Sequence, residues 1–348
     1  MIGRNPYTLT FGKEPAEAIP RLVQSQEIVD AFTQDPPSQQ VYMVTGVRGM
    51  GKTVFMTEVA QRLRAQDGWV VVELNPEKDM LEGLASKLSS ENELAQIFQS
   101  ASINLSFFGF GLQVKGAAPI TDIEMALQKM LASLGKRGKR LLVTIDEVTS
   151  TERMRVFAAA FQIFVRQNLP IYLLMAGLYK NINALRNEKS LTFLYRAPRI
   201  ELGPLNIGSI AGNYSSTLGL DDKAALEMAR LTEGYSFAFQ VLGHFAWEKD
   251  GDFEAATGVS RQYLDEYAYD KIWSELSAKD QEVLAAIARS ETGRVAEVRD
   301  ILQWDTNSFN PYRQRLIRRG LIDGSTHGRV RLTLPFFAQY IEEHFQET

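Results

Sequence analysis

Eight residues, Gly46-Val47-Arg48-Gly49-Met50-Gly51-Lys52-Thr53, constrain this chain more than any others. They directly follow an apolar run of strand length, Val41-Tyr42-Met43-Val44-Thr45, and open a helical stretch over 53–65. The spacing is G-x-x-x-x-G-K-[ST], which chance produces in roughly one chain in a hundred at the usual frequency of glycine. The strand before it and the helix after it are the context that such a loop requires. Glycine lets the backbone turn so that several amide N–H groups converge, and convergent donors bind phosphate oxygens. Lys52 supplies a mobile positive charge for the β- and γ-phosphates, and the Thr53 hydroxyl is a ligand for Mg²⁺. The helix that starts there turns its positive end to the anion. The cradle is read as Gly46, Val47, Arg48, Gly49, Met50, Gly51, Lys52, Thr53 and Val54.

The surrounding pattern says what the loop sits on. Val41–Thr45, Trp69–Leu74, 141–145 and 171–175 are short, rich in Val, Ile and Leu, and barely alternate. That is how parallel strands buried on both faces read. Helical stretches at 53–65, 80–88, 123–134 and 154–165 lie between them, which predicts a parallel sheet with helices on both faces. One segment breaks the pattern: 103–115 has a period near two with glycines in the middle, and is expected to form a hairpin whose aromatics pack on the sheet.

The third strand ends Leu141-Leu142-Val143-Thr144-Ile145-Asp146-Glu147, placing two carboxylates at the edge of the sheet where ligands bind in such folds. Asp146 suits a hydrated Mg²⁺, and Glu147 suits the water that attacks in line with the γ-phosphate. There is no Asn-Lys-x-Asp to read guanine, no Leu-Ser-Gly-Gly-Gln segment, and no dinucleotide fingerprint after the first strand. ATP with Mg²⁺ is the expected ligand pair.

Composition bounds the alternatives. A length of 348 residues suggests two or three domains, and 45% apolar against 23% charged residues supplies a substantial core. With 38 Lys and Arg against 42 Asp and Glu, the net charge of −4 argues against binding nucleic acid by overall basicity. Zero cysteines exclude disulfides, a thiol nucleophile and thiolate metal sites. The three histidines show no metal-ligand spacing. No apolar stretch approaches the roughly 18 residues of a membrane span, and the first residues lack a signal-peptide pattern, so a soluble, cytoplasmic protein with no membrane partner is expected.

These motifs, in this order and with these trailing segments, resemble the AAA+ ATPases, and more narrowly the branch of origin-recognition ATPases and archaeal-type signalling (STAND) ATPases. The resemblance implies a three-layer P-loop NTPase sheet of order 5-1-4-3-2, with the 171–175 strand between the two motif strands. It further implies a helical lid, a C-terminal winged helix and ATP hydrolysis, with assembly into oligomers in some members. The expected division is an α/β domain over 1–204, a lid over 205–270 and a winged helix over 271–348. The family places a polar sensor after the fourth strand; here Leu174-Met175-Ala176-Gly177 stands there, with Tyr179 and Asn181 the nearest polar groups, which points to slow turnover. An arginine before the fifth strand acts on a neighbouring subunit's nucleotide in assembling members, and Arg196 is the preferred candidate over Arg199. Gly234-Tyr235-Ser236 falls where the signalling branch has Gly-x-Pro, and no arginine follows it in that helix. By analogy, Phe11-Gly12-Lys13-Glu14 through Ile19-Pro20-Arg21 would border the adenine.

In the C-terminal part, Ser277 starts a helix, Val295–Leu302 gives a second, and Asn310-Pro311 is expected to start a third. Arg329-Val330-Arg331-Leu332-Thr333-Leu334 alternates and places both arginines on one strand face. Three helices and this wing read as a winged helix. Arg315 and Arg318 on the third helix, with Arg329 and Arg331 on the wing, form a candidate DNA surface. From Lys271 to Thr348 there are 11 basic and 11 acidic residues, so the module also suits a protein partner. Two functional readings follow. In one, Lys52, Glu147 and Arg196 serve slow, Mg²⁺-dependent ATP hydrolysis that moves the lid and winged helix. In the other, ATP is a structural or switch ligand of a regulator or DNA-binding protein.

Overall fold

The computed structural model describes residues 3–10, 12, 15–110, 112, 114 and 117–345. The chain divides into two compact units. One comprises Pro20–Thr45 and Lys52–Glu201; the other comprises Met1–Ile19, Gly46–Gly51 and Leu202–Thr348.

The first unit is built on five parallel strands: β1 (Val41–Thr45), β2 (Trp69–Leu74), β3 (Arg140–Ile145), β4 (Ile171–Gly177) and β5 (Arg199–Glu201). Their order is β2-β3-β4-β1-β5, the 5-1-4-3-2 arrangement read from the other edge. Every residue of β1 and β4 is buried, because helices cover both faces. Met43, Val143 and Leu173 meet Phe157, Phe161 and Leu127 in one core, each fully burying apolar area at about 1.5–3 kcal/mol per side chain. Thr45 pairs with Gly177 and Ile145 with Met175, so β1, β4 and β3 end together at one edge. The flanking helices start where short polar side chains cap them: Asp79, Asp122 and Thr151 each accept from a backbone N–H three residues on.

The described residues of 103–115 do not form the expected hairpin. Ser106–Phe108 makes a single 3₁₀ turn, closed by Gly109 at φ +74°, and no strand ladder runs through the segment's described residues. Asn104 competes with pairing: its side chain accepts from the Ser106 N–H and donates to the Ala117 carbonyl. Ile103, Leu105 and Leu112 are buried in the core, with Phe108 and Phe110 packed against it and Phe107 exposed. Gln113 and Lys115 lie outside the described residues. Asn92–Ser100 is a helix not anticipated from sequence, although Leu94, Ile97 and Phe98 have helical spacing.

In the second unit, helices Ile207–Leu218, Asp222–Leu231, Ser236–Glu248 and Phe253–Leu264 surround a core of Tyr214, Met228, Phe239 and Leu242. Tyr7 from the N-terminal segment enters this core and donates from its hydroxyl to Asn213 Oδ1 at 2.8 Å. The last of these helices continues through a π-helical turn, Asp265–Tyr269, into Asp270–Ser274. Ala278–Arg289 then begins at Ser277 with a complete capping box closed by Asp280. Val295–Leu302 follows as expected. The third helix is Thr306–Arg318 and starts a turn earlier than Pro311 suggested. Asp305 caps it through the Ser308 N–H, and fully buried Phe309 anchors that first turn. β6 (Ile322–Asp323) and β7 (Arg331–Leu332) pair antiparallel, Arg294 and Arg329 add a bridge, and Phe337–His344 closes the module.

Candidate functional site

The sheet edge brings the second motif into position. β4 lies between β1 and β3, so the carboxylate after β3 sits about 10 Å from the end of β1 at ordinary strand spacing. The first turn of the Lys52–Arg64 helix bridges that gap. Thr53 Oγ1 donates to Asp146 Oδ2 at 2.5 Å, joining residues 93 apart in sequence. The other carboxylate oxygen, Oδ1, accepts from the Glu147 N–H at 2.8 Å. Two hard oxygen atoms, one hydroxyl and one carboxylate, therefore lie together at the helix start, a donor set suited to Mg²⁺.

Glu147 is exposed and adopts φ +53°, a left-handed conformation that costs a non-glycine residue about 1 kcal/mol. Its neighbours hold it there. The Val148 N–H donates to the Ala176 carbonyl at 3.0 Å, and Gly177 is where Val148 crosses β4, since an added Cβ would stand 3.1 Å from Val148. Further along, Ser150 Oγ donates to Glu188, and Thr151 caps the next helix. Ala176 and Gly177 are buried, and no polar side chain ends β4. Tyr179 and Asn181 lie in the following helix, Tyr179–Arg186, and the Arg199 guanidinium covers the Tyr179 ring at 4.9 Å. Arg196 ends the helix Thr192–Arg196, is exposed, and forms no ion pair among the described residues.

In the other unit the loop Gly46–Gly51 has Gly49 at φ +73° and Gly51 at φ +84°, with a turn bond from the Met50 N–H to the Val47 carbonyl. Two side chains grip its carbonyls. The Tyr235 hydroxyl donates to the Arg48 carbonyl at 2.7 Å, and the Ser236 hydroxyl donates to the Met50 carbonyl at 3.1 Å. Tyr235 is completely buried, which pushes its phenol well above the ordinary range and keeps it a hydrogen-bond donor. The Arg48 side chain pairs with Glu275 at 2.8 Å, so only its backbone is left to the cradle. The sequence alone did not anticipate this contact of Tyr235; Gly234-Tyr235-Ser236, standing where the signalling branch has Gly-x-Pro, was the available signal. Phe11, Lys13 and Glu14, expected to border the adenine, lie outside the described residues.

The four arginines of the candidate DNA surface divide. Arg315 is held by Asp280, with Nη2 and Nε 2.6 and 2.8 Å from Oδ1, and stacks over Tyr312. Arg331 pairs with Asp323 at 3.0 Å. Arg318 and Arg329 are exposed and form no ion pair among the described residues.

A five-stranded parallel sheet of this order, with a glycine-rich loop after β1 and a carboxylate after β3, defines a P-loop ATPase fold. Residues 30–170 match the family described as an ATPase domain predominantly from Archaea. Residues 266–341 match a domain of unknown function. The Walker-type ATPase PABY2304 of Pyrococcus abyssi is similar in structure with a TM-score of 0.65 at 15% identity, over 93% of this chain and 96% of that one. The ORC2 protein of Aeropyrum pernix, in its ADPNP–ADP complexes, gives 0.61 at 14% identity over 96% of both chains. At such identities the likeness is one of fold. No curated protein matches the chain in sequence. No helix among the described residues is long and apolar enough to cross a membrane.

Proposed function

We propose that the chain binds ATP with Mg²⁺ and hydrolyses it slowly, using the free energy of exchange or turnover to reposition its helical and C-terminal modules. The observation that carries this reading is the Thr53–Asp146 hydrogen bond, which unites the two halves of a phosphate site from separate motifs. The loop amides and Lys52 bind the phosphate chain. Thr53 and Asp146 would hold Mg²⁺, which supplies charge neutralisation at the β- and γ-phosphates. Glu147, exposed at the sheet edge, accepts a hydrogen bond from the attacking water and orients it. Chemistry of this kind is mostly positioning and electrostatic stabilisation. The nucleotide complexes of the Aeropyrum ORC2 structure support the choice of ligand. Arg196, exposed at the end of its helix, is the group that would reach a neighbouring subunit's nucleotide in an oligomer.

Lys52→Ala removes the mobile charge and should abolish ATP binding by calorimetry. Glu147→Gln should bind ATP as the parent does and lose turnover. Equal ATPase rates in the parent and Glu147→Gln would remove Glu147 from the mechanism.

The apolar end of β4 favours a second reading, in which ATP acts as a switch and is not consumed. Single-turnover measurements separate the two, because a switch ligand is recovered intact after hours. In either reading the helices and ribbon of the C-terminal module would act as a winged helix. Arg318 and Arg329, which form no ion pair among the described residues, would be its cations for DNA, and a protein partner is the alternative.

A further inference from the structure

We infer that the hydroxyls of Tyr235 and Ser236 are positioning groups for the phosphate loop, setting the direction of the Gly49 and Gly51 amide N–H groups. The inference rests on the nucleotide reading above and adds to it the device that shapes the cradle before the ligand arrives. In a planar trans peptide the C=O and N–H point in opposite directions. The Arg48–Gly49 peptide has its carbonyl fixed by Tyr235 at 2.7 Å, so the Gly49 N–H is turned away from Tyr235. The Met50–Gly51 peptide has its carbonyl fixed by Ser236 at 3.1 Å, and the Gly51 N–H is turned away likewise. Two alternate peptide planes of the loop are thus pinned from behind, and their donors are offered on the opposite face.

Tyr235 and Gly49 are built for each other. A Cβ on Gly49 would stand 2.2 Å from Tyr235 Oη, so the tyrosine hydroxyl fills the space that any other residue would claim for its side chain. The tyrosine is itself immobilised. Its N–H donates to the Thr232 carbonyl at 2.8 Å, and the preceding Gly234 has φ +75° with its Cα side pressed on the Leu205 carbonyl. Ser236 is the first residue of the Ser236–Glu248 helix, which fixes where its hydroxyl can reach.

The test uses the full chain, with Tyr235→Phe, Ser236→Ala and the double variant. Tyr235→Phe keeps the buried ring and removes one donor. A neutral hydrogen bond contributes about a fivefold factor, so each single variant should bind MgATP and inorganic tripolyphosphate about fivefold more weakly. The double variant should lose about twenty-five-fold, while adenosine affinity stays unchanged. Ser236→Thr, which keeps the hydroxyl, should restore parent affinity. Unchanged ATP and tripolyphosphate affinity in the double variant overturns the inference and leaves the nucleotide reading intact. An equal loss for adenosine also overturns it, since that reports general damage. A parent chain that binds no ATP overturns the nucleotide reading itself.

Discussion

Arg315→Ala tests whether that guanidinium reads DNA or holds its own module together. Asp280 is buried, with its side chain 3% exposed, and its Oδ1 receives both the Nε and Nη2 of Arg315. Breaking a buried ion pair from one side costs about 3–5 kcal/mol, because a carboxylate is left without its charge partner. Part of that is offset here. Arg319 Nη1 stays 3.9 Å from Oδ2, the Ser277 hydroxyl donates to Oδ2 at 2.8 Å, and Arg315 itself is 46% exposed. We expect a loss of about 2 kcal/mol, roughly half the buried-pair value. Hydrogen exchange read on the Ala278–Arg289 helix reports this locally, where whole-chain melting of a two-unit protein would not. Two kcal/mol corresponds to about thirtyfold faster exchange. Arg318→Ala, three residues on and exposed without an ion pair, should leave exchange within about 0.5 kcal/mol of the parent. Equal protection in the two variants would refute the argument and return Arg315 to the DNA surface.

Two further perturbations probe the second unit. Gly49→Ala combines a left-handed φ of +73° with a Cβ 2.2 Å from a buried tyrosine hydroxyl, whereas Gly138 has φ +68° and open space around it. Gly138→Ala should cost only the conformational term of about 1 kcal/mol, and Gly49→Ala more than about 2 kcal/mol together with ATP affinity; equal losses of hydrogen-exchange protection around the two sites would remove the steric argument. Asp265, in the π-helical turn, has its carboxyl pushed up from 3.8 to about 6 by burial, against the pull of Arg261 at 3.8 Å. The folded state therefore carries an ionised, partly desolvated carboxylate above pH 6 and sheds that penalty as pH falls through 6 and then below 3.8, under which folded and unfolded forms are both mostly protonated. Two pKa steps correspond to about 3 kcal/mol, and about half of that remains once solvent screening of the partly exposed turn is included. Asp265→Asn should accordingly be more stable than the parent at pH 7.5, with the difference shrinking as pH falls below 6 and gone below 3.8; parallel pH profiles would rule this out.

Much of the α/β unit was legible because its signals are local. β1 was read to the residue because a strand buried on both faces must be apolar throughout, and β2, an edge strand with Glu73 exposed, was read from its run of valines. Thr53 and Asp146 were paired on the strength of motif chemistry, and the structure puts them in contact. Signals failed where polar side chains choose between local and long-range partners. Asn104 satisfied its neighbours and no hairpin formed among the described residues of 103–115, and Asp305 with Phe309 moved a helix start ahead of Pro311.

The order of residues thus determined the sheet, the glycine loop and the two acids, because strand burial, left-handed glycines and caps depend on near neighbours in the chain. Which side chains hold the loop was decided only in three dimensions. Nothing local links Tyr235 and Ser236 to the Arg48 and Met50 carbonyls, or Glu275 to the Arg48 guanidinium. Those contacts join residues about two hundred positions apart, and an alternating or helical period carries no information about a partner at that separation.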